Sequence, residues 1–111
     1  MVYAKTQLFE NDLQTSSEFF KVLSHPARLA IMQYLAEINT CITGDFAEEL
    51  PLSRTTVNQH LKELKNAGLI VSRTEGTKSY YCLNKLKIKE LKQTLNSFMS
   101  RIEHFDYQSC K

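Results

Sequence analysis

The chain has 111 residues, 42% hydrophobic and 23% charged, with a formal net charge of +2. That is the size and composition of one ordinary globular domain, which excludes wholesale disorder, a collagen-like repeat and a second domain. The longest apolar run, Leu29 to Met32, is four residues, against the roughly 18 that a membrane span needs. The first residues lack the basic-then-apolar layout of a signal peptide, so the mature chain is expected to start near Met1 and to be cytoplasmic. Three cysteines, Cys41, Cys82 and Cys110, stand far apart with no C-x-x-C pair. That odd, sparse set fits a reducing compartment better than a disulfide scaffold.

Charge is unevenly spread. Residues 1–52 carry three basic and seven acidic residues, whereas residues 53–92 carry nine basic and three acidic ones. A positive field concentrated in the middle third is a footprint for a polyanion or, more plainly, a solvated Lys-rich surface.

The elements follow in chain order. Leu13, Phe20 and Leu23, with Phe19 beside them, predict a first helix that ends before Pro26. Ser24 is placed to cap a second helix with Pro26 in its first turn, where the missing N–H costs nothing. That helix carries Leu29, Ile31, Met32 and Leu35 as far as Ile38. After a polar break a short helix is expected from Gly44 to Leu50, with Asp45 near its N-terminus and Pro51 stopping it. Ser53 then caps a fourth helix in which Val57, Leu61 and Leu64 recur at helical spacing, ending at Ala67-Gly68. Beyond it, Leu69-Ile70-Val71 and Tyr80-Tyr81-Cys82-Leu83 flank a polar stretch that turns at Glu75-Gly76, a β-hairpin pattern. In the last helix Ile88, Leu91, Leu95, Phe98, Ile102 and Phe105 step by 3, 4, 3, 4, 3. Such a narrow seam is what one helix presents to another. It packs either on its own domain or on a second copy, and the marginal size of the domain favours the copy.

The expected fold is therefore mainly α with a small β-hairpin wing: five helices in one domain spanning residues 1–111. The helix-turn-helix lies at about 44–67, the wing at about 69–83 and a dimer helix at about 86–105. Phe46, Leu50, Val57 and Leu61 are the expected contacts between the two helices of the motif, with Ala47 at their close approach. The opposite face of the second helix shows Arg54, Thr55, Asn58, Gln59 and Lys62, with no acid among them. Asn and Gln pair bidentately with adenine edges and Arg with guanine, while hydroxyls and free helical N–H groups meet phosphate. Arg73 and Lys78 flank the tip of the hairpin, within reach of a neighbouring groove or backbone.

Three ordered runs carry a family resemblance. They are Leu23-Ser24-His25-Pro26-Ala27-Arg28-Leu29, the helix from Ser53 through Val57, Gln59-His60-Leu61 and Leu64 to Ala67-Gly68-Leu69, and the hairpin with Arg73, Glu75-Gly76, Tyr80-Tyr81 and Leu83. Together, from about residue 10 to 105, the chain resembles the ArsR-type (arsenic and metal-sensor) repressors. The resemblance implies a winged helix-turn-helix homodimer, joined through its first and last helices, that leaves a pseudo-palindromic operator when an effector binds. It implies DNA contacts at Arg54, Thr55, Asn58 and Gln59 and backbone contacts at Arg73 and Lys78; Ser53, Thr56 and Lys62 beside them complete the candidate DNA-binding set.

The implied effector site does not carry over intact. Family members bind metal or arsenite through a Cys-x-Cys-Asp run, and the matching stretch here is Cys41-Ile42-Thr43-Gly44-Asp45, with Thr43 where a second cysteine would complete the pair. One thiolate is not a soft-metal site. The other family arrangement, Asp/His pairs along the last helices, finds only His104 and Asp106, with Glu90 as a lone earlier acid. A metal ligand set thus stays undefined, and no cofactor is implied beyond a thiophilic ion. Cys82 reads as a small packed side chain between Tyr81 and Leu83, and His25 and His60 as packing or hydrogen-bonding residues. Cys41, just before a helix N-terminus, and Cys110, near the chain end, form the remaining candidate pair for a thiophilic ion or an oxidant.

No nucleophile–base pair, paired carboxylates, Gly-rich phosphate loop or zinc signature suggests an enzyme. The competing function is a winged-helix protein-interaction module, which would place acidic or apolar residues on the face held by Arg54 to Lys62.

Overall fold

The computed structural model describes residues 8–38, 41–43 and 50–103. Along them run α1 (Asn11–Val22), α2 (Pro26–Ile38), β1 (Ile42–Thr43), α3 (Arg54–Asn66), β2 (Ile70–Glu75), β3 (Lys78–Leu83) and α4 (Lys85–Glu103). Four helices are thus described where five were expected. The expected short helix from Gly44 to Leu50, with Phe46 and Ala47, falls almost wholly on residues 44–49, outside the described residues.

Local chemistry sets the boundaries. At the start of α2 the expected cap moves by one residue. The Ser24 hydroxyl donates back to the Lys21 carbonyl at 2.7 Å, while His25 Nδ1 accepts the Ala27 N–H at 3.0 Å. With Pro26 first in the helix, the ring of His25 satisfies the next open donor. Ser53 caps α3 as expected: its Oγ accepts the Thr56 N–H at 3.2 Å and donates to the Thr56 hydroxyl at 2.9 Å. The other end of α3 closes in a Schellman arrangement around Gly68 at φ +80°. There the Gly68 N–H meets the Lys65 carbonyl at 2.9 Å and the Leu69 N–H meets that of Leu64 at 3.0 Å.

The hairpin is present, with Glu75 opposite Lys78 and a two-residue connection that Gly76 enters at φ +63°. Sequence periodicity did not reveal its third strand. β1 pairs antiparallel with β3, Ile42 opposite Tyr81 and Thr43 opposite Tyr80, so the order is β1-β3-β2 with β3 in the middle. Two residues carry too little pattern to announce themselves, and their pairing with β3 makes them a strand.

The core gathers Phe19 and Val22 from α1, Ile31 and Leu35 from α2, Val57, Leu61 and Leu64 from α3, Leu69 and Ile70 leading into the wing, and Leu91 from α4. Two stripes read from sequence are corrected by it. In α1 the buried face is Ser16, Phe19 and Val22, whereas Leu13 and Phe20 stay exposed. In α4 the seam divides: Leu91 is buried and Ile88 and Leu95 pack on the same core, while Ile102 remains 39% exposed. The first half of the seam is therefore used within the subunit. Phe105 lies outside the described residues.

Candidate nucleic-acid interface

α3 is amphipathic in the way its sequence requires. Val57, His60, Leu61 and Leu64 are buried against α2 and the base of the wing. Arg54, Thr55, Asn58, Gln59 and Lys62 are all exposed, with Ser53 at the cap and Thr56 half-buried. The first-turn residues Arg54, Thr55 and Thr56 include no acid, so no side chain of that turn offsets the partial positive charge of the helix N-terminus. The Ser53 hydroxyl is committed to the cap, whereas the hydrogen of the Thr56 hydroxyl remains to be given. These side chains form one exposed strip of donors, amides and cations.

The wing tip differs from its sequence reading in one respect. Arg73 and Lys78 are exposed on neighbouring strands. Arg73 Nε, however, lies 3.7 Å from Glu75 Oε1, and its guanidinium stands 5.2 Å from the centroid of the Tyr80 ring. Residues two apart on a strand share a face, which brings Glu75 to Arg73. The pair is well exposed and worth little to stability, but it moderates the charge that Arg73 presents.

Behind α3 lies a cluster that single-residue reading could not assemble. Arg28 Nε donates to His60 Nδ1 at 3.2 Å, and Arg28 Nη1 donates to the Val22 carbonyl at 3.1 Å. The rings of His25 and His60 lie 4.3 Å apart, centroid to centroid. Burial, followed by the nearby His25 and Arg28, holds the His60 pKa below its ordinary value. Neutral His60 accepts from Arg28 and fastens α3 to α2. The packing and hydrogen-bonding roles expected for both histidines are thus met.

A second joint sits at the other end of α3. Asn84 Nδ2 donates to the Gly68 carbonyl at 2.9 Å, the Asn84 N–H bonds the Leu69 carbonyl at 2.9 Å, and Asn84 Oδ1 caps α4 at the Lys87 N–H. One residue therefore joins the end of α3, the start of the wing and the start of α4.

The cysteines depart most from expectation. Cys41 and Cys82 form a disulfide, their Cα atoms 4.5 Å apart. Cys82 is therefore a bonded partner and more than a small packed side chain. The expected partner of Cys41, Cys110, lies outside the described residues, as do His104 and Asp106. Among the described residues no group of three or more His, Cys, Asp or Glu side chains is arranged to hold a metal ion. No described helix is long and apolar enough to cross a membrane.

Residues 23–73 match the family model of a helix-turn-helix domain. The HTH-type transcriptional regulator Rv2034 of Mycobacterium tuberculosis is 37% identical over 82 residues, 74% of this chain and 76% of that protein. The arsenical resistance operon repressor of Bacillus subtilis is 34% identical over 79 residues, 71% of this chain and 75% of that one. The chain belongs to the ArsR-type winged helix-turn-helix transcriptional regulators. A crystal structure of a possible transcriptional regulator for arsenical resistance superposes with a TM-score of 0.65 at 28% identity, covering 80% of this chain and 96% of that one. In this winged helix-turn-helix fold the β2–β3 hairpin is the wing.

Proposed function

We propose that this ArsR-type regulator is a repressor that holds a pseudo-palindromic operator as a homodimer and leaves it on effector binding or thiol modification. The acid-free exposed strip of α3 carries the reading. Asn58 and Gln59 have the amides that pair with adenine edges, and Arg54 has the fork that pairs with guanine or phosphate. Thr55, Thr56, Lys62 and the backbone N–H groups beside Ser53 suit phosphate oxygens. Lys78 and Arg73 suit the backbone of a flanking groove, Arg73 after parting from Glu75. The arsenical resistance named for the relatives is an effector class for this chain only if its ligands come from outside the described residues. A protein-interaction module is disfavoured by the same strip, which offers neither acids nor an apolar patch.

The second copy is proposed for the outer flank of α1 and α4. Leu13 and Phe20, seven residues apart on α1, and Met99 and Ile102 on α4 are exposed. Phe20 meets Phe98 edge to face at 5.3 Å, so the two flanks join into one apolar surface. A small domain gains from covering such a surface with its own copy.

The test is a binding titration on duplex DNA from upstream of the chain's own coding sequence, repeated over a range of salt. Gln59→Ala is expected to lose about 1–3 kcal/mol of sequence-specific binding. Lys78→Ala is expected to weaken all duplexes alike and to lower the salt slope by about one. Unchanged affinity and preference in Gln59→Ala would overturn the assigned register of the recognition helix.

A further inference from the structure

Cys41 and Cys82 are brought together by backbone register, independently of their chemistry. Ile42 faces Tyr81 and Thr43 faces Tyr80, so the next antiparallel pair outward is Cys41 with Cys82. Their Cα separation of 4.5 Å is that of a directly opposed, non-hydrogen-bonded pair, where side chains come closest. Both residues are half-buried and so within reach of a small oxidant or reductant. Their position matters too. β1 leads through residues 44–53 into the recognition helix, and β3 is the central strand of the wing. A bond between them ties the strand that precedes α3 in the chain to the central strand of the wing.

We propose that Cys41 and Cys82 form a reversible dithiol–disulfide site for hydroperoxides, and that closing the disulfide weakens the grip on DNA. This rests on the repressor reading above. In the closing step one thiolate attacks a peroxide oxygen, giving a sulfenic acid and, with hydrogen peroxide, one water. The facing thiolate then attacks that sulfur, the S–S bond forms, the S–O bond breaks and the oxygen leaves as a second water. Two thiols lose two electrons and one hydrogen peroxide takes them. A dithiol reductant reverses the bond by exchange. In the dithiol state two backbone pairs hold β1 to β3, so β1 and the wing can shift against one another to the spacing that the duplex imposes. The disulfide fixes that spacing and opposes the adjustment.

The experiment uses the full chain with Cys110→Ser, leaving Cys41 and Cys82 as the reactive pair, and the upstream duplex as probe. Hydrogen peroxide is expected to consume both thiols, to yield a peptide linked through Cys41 and Cys82 in a digest, and to raise the Kd about tenfold. Dithiothreitol is expected to restore both. Cys41→Ser and Cys82→Ser, each in that background, are expected to bind as the reduced protein does and to ignore peroxide. Tight binding with no linked peptide overturns the redox site and leaves the repressor reading intact. A linked peptide with no DNA binding in either state removes the repressor reading and with it the coupling, while the redox pair stands. Equal affinity in both states overturns the coupling alone.

Discussion

Arg28 Nε donates to His60 Nδ1 at 3.2 Å, so a cation in the first turn of α2 holds α3 through an acceptor that must stay neutral. Protonation puts a hydrogen on the nitrogen that Arg28 needs, and a positive charge beside Arg28 and His25. The lowered pKa of His60 expresses that cost, burial first and then the two neighbours.

The sign of the pH dependence follows. Unfolded, His60 binds a proton at its ordinary pKa of about 6.5, while the folded protein binds it only at lower pH. The stability contributed by neutral His60 is complete above that value and is lost as the pH falls toward the folded pKa. Denaturant midpoints are therefore expected to drop between about pH 7.5 and pH 5.5. In His60→Gln, whose amide oxygen accepts from Arg28 without titrating, this part of the slope should vanish. An unchanged slope in that variant would assign the effect to another group.

Gly68 is expected to resist substitution for backbone reasons alone. A Cβ there would meet the Lys87 side chain at 3.5 Å, an ordinary contact, but the residue sits at φ +80°. Gly68→Ala should cost about 1–2 kcal/mol in chemical denaturation, and Gly68→Asn less, because Asn tolerates this conformation. If Ala and Asn cost the same, space rather than φ governs the site.

Features that speak locally were legible in the sequence. Ser53 as a cap, the Ala67-Gly68 stop and the two faces of α3 each depend on residues a turn apart, so pattern alone identifies them. The wing strands read well because apolar runs end at a glycine turn. What escaped depends on partners distant in the chain. β1 exists through its pairing with β3, so neither the strand nor the Cys41–Cys82 bond could be seen before the sheet was assembled. His25 displaced Ser24 as the cap because its ring is also held against His60, at a tilt of 49°. On α1, Leu13 and Phe20 looked like the core stripe, but the core shared with α2, α3 and Leu91 of α4 took Phe19 and Val22, with Ser16 buried on the same face.

The disulfide closes a loop with a sequence separation of 41 that contains the whole of α3. In the chain-entropy description such a crosslink restricts the unfolded state and contributes about 4 kcal/mol. Oxidised protein should therefore unfold at clearly higher denaturant than reduced protein, and Cys41→Ser should match the reduced form. Coincident unfolding curves for the two states would mean that the crosslink strains the native fold as much as it restricts the unfolded chain.

Assembly can be separated from folding because the apolar seam of α4 is divided between two tasks. Leu95 packs on the subunit core, so Leu95→Asp puts an unpaired charge in an apolar contact and should unfold the chain. Leu13 and Met99, by contrast, are 42% and 46% exposed and make no part of that core. Leu13→Asp combined with Met99→Asp should leave secondary structure and cooperative unfolding within one subunit intact while placing four carboxylates, two per copy, across a two-fold contact. Like charges at a self-complementary surface repel each other twice over, because each residue meets the same surface on its partner. Sedimentation at micromolar concentration should accordingly show dimers for the wild type and folded monomers for the double variant, which should also bind a full operator far more weakly than the wild type. A wild-type protein that sediments as a folded monomer would remove the α1–α4 flank as the dimer surface. A double variant that stays dimeric would move that surface elsewhere on the domain.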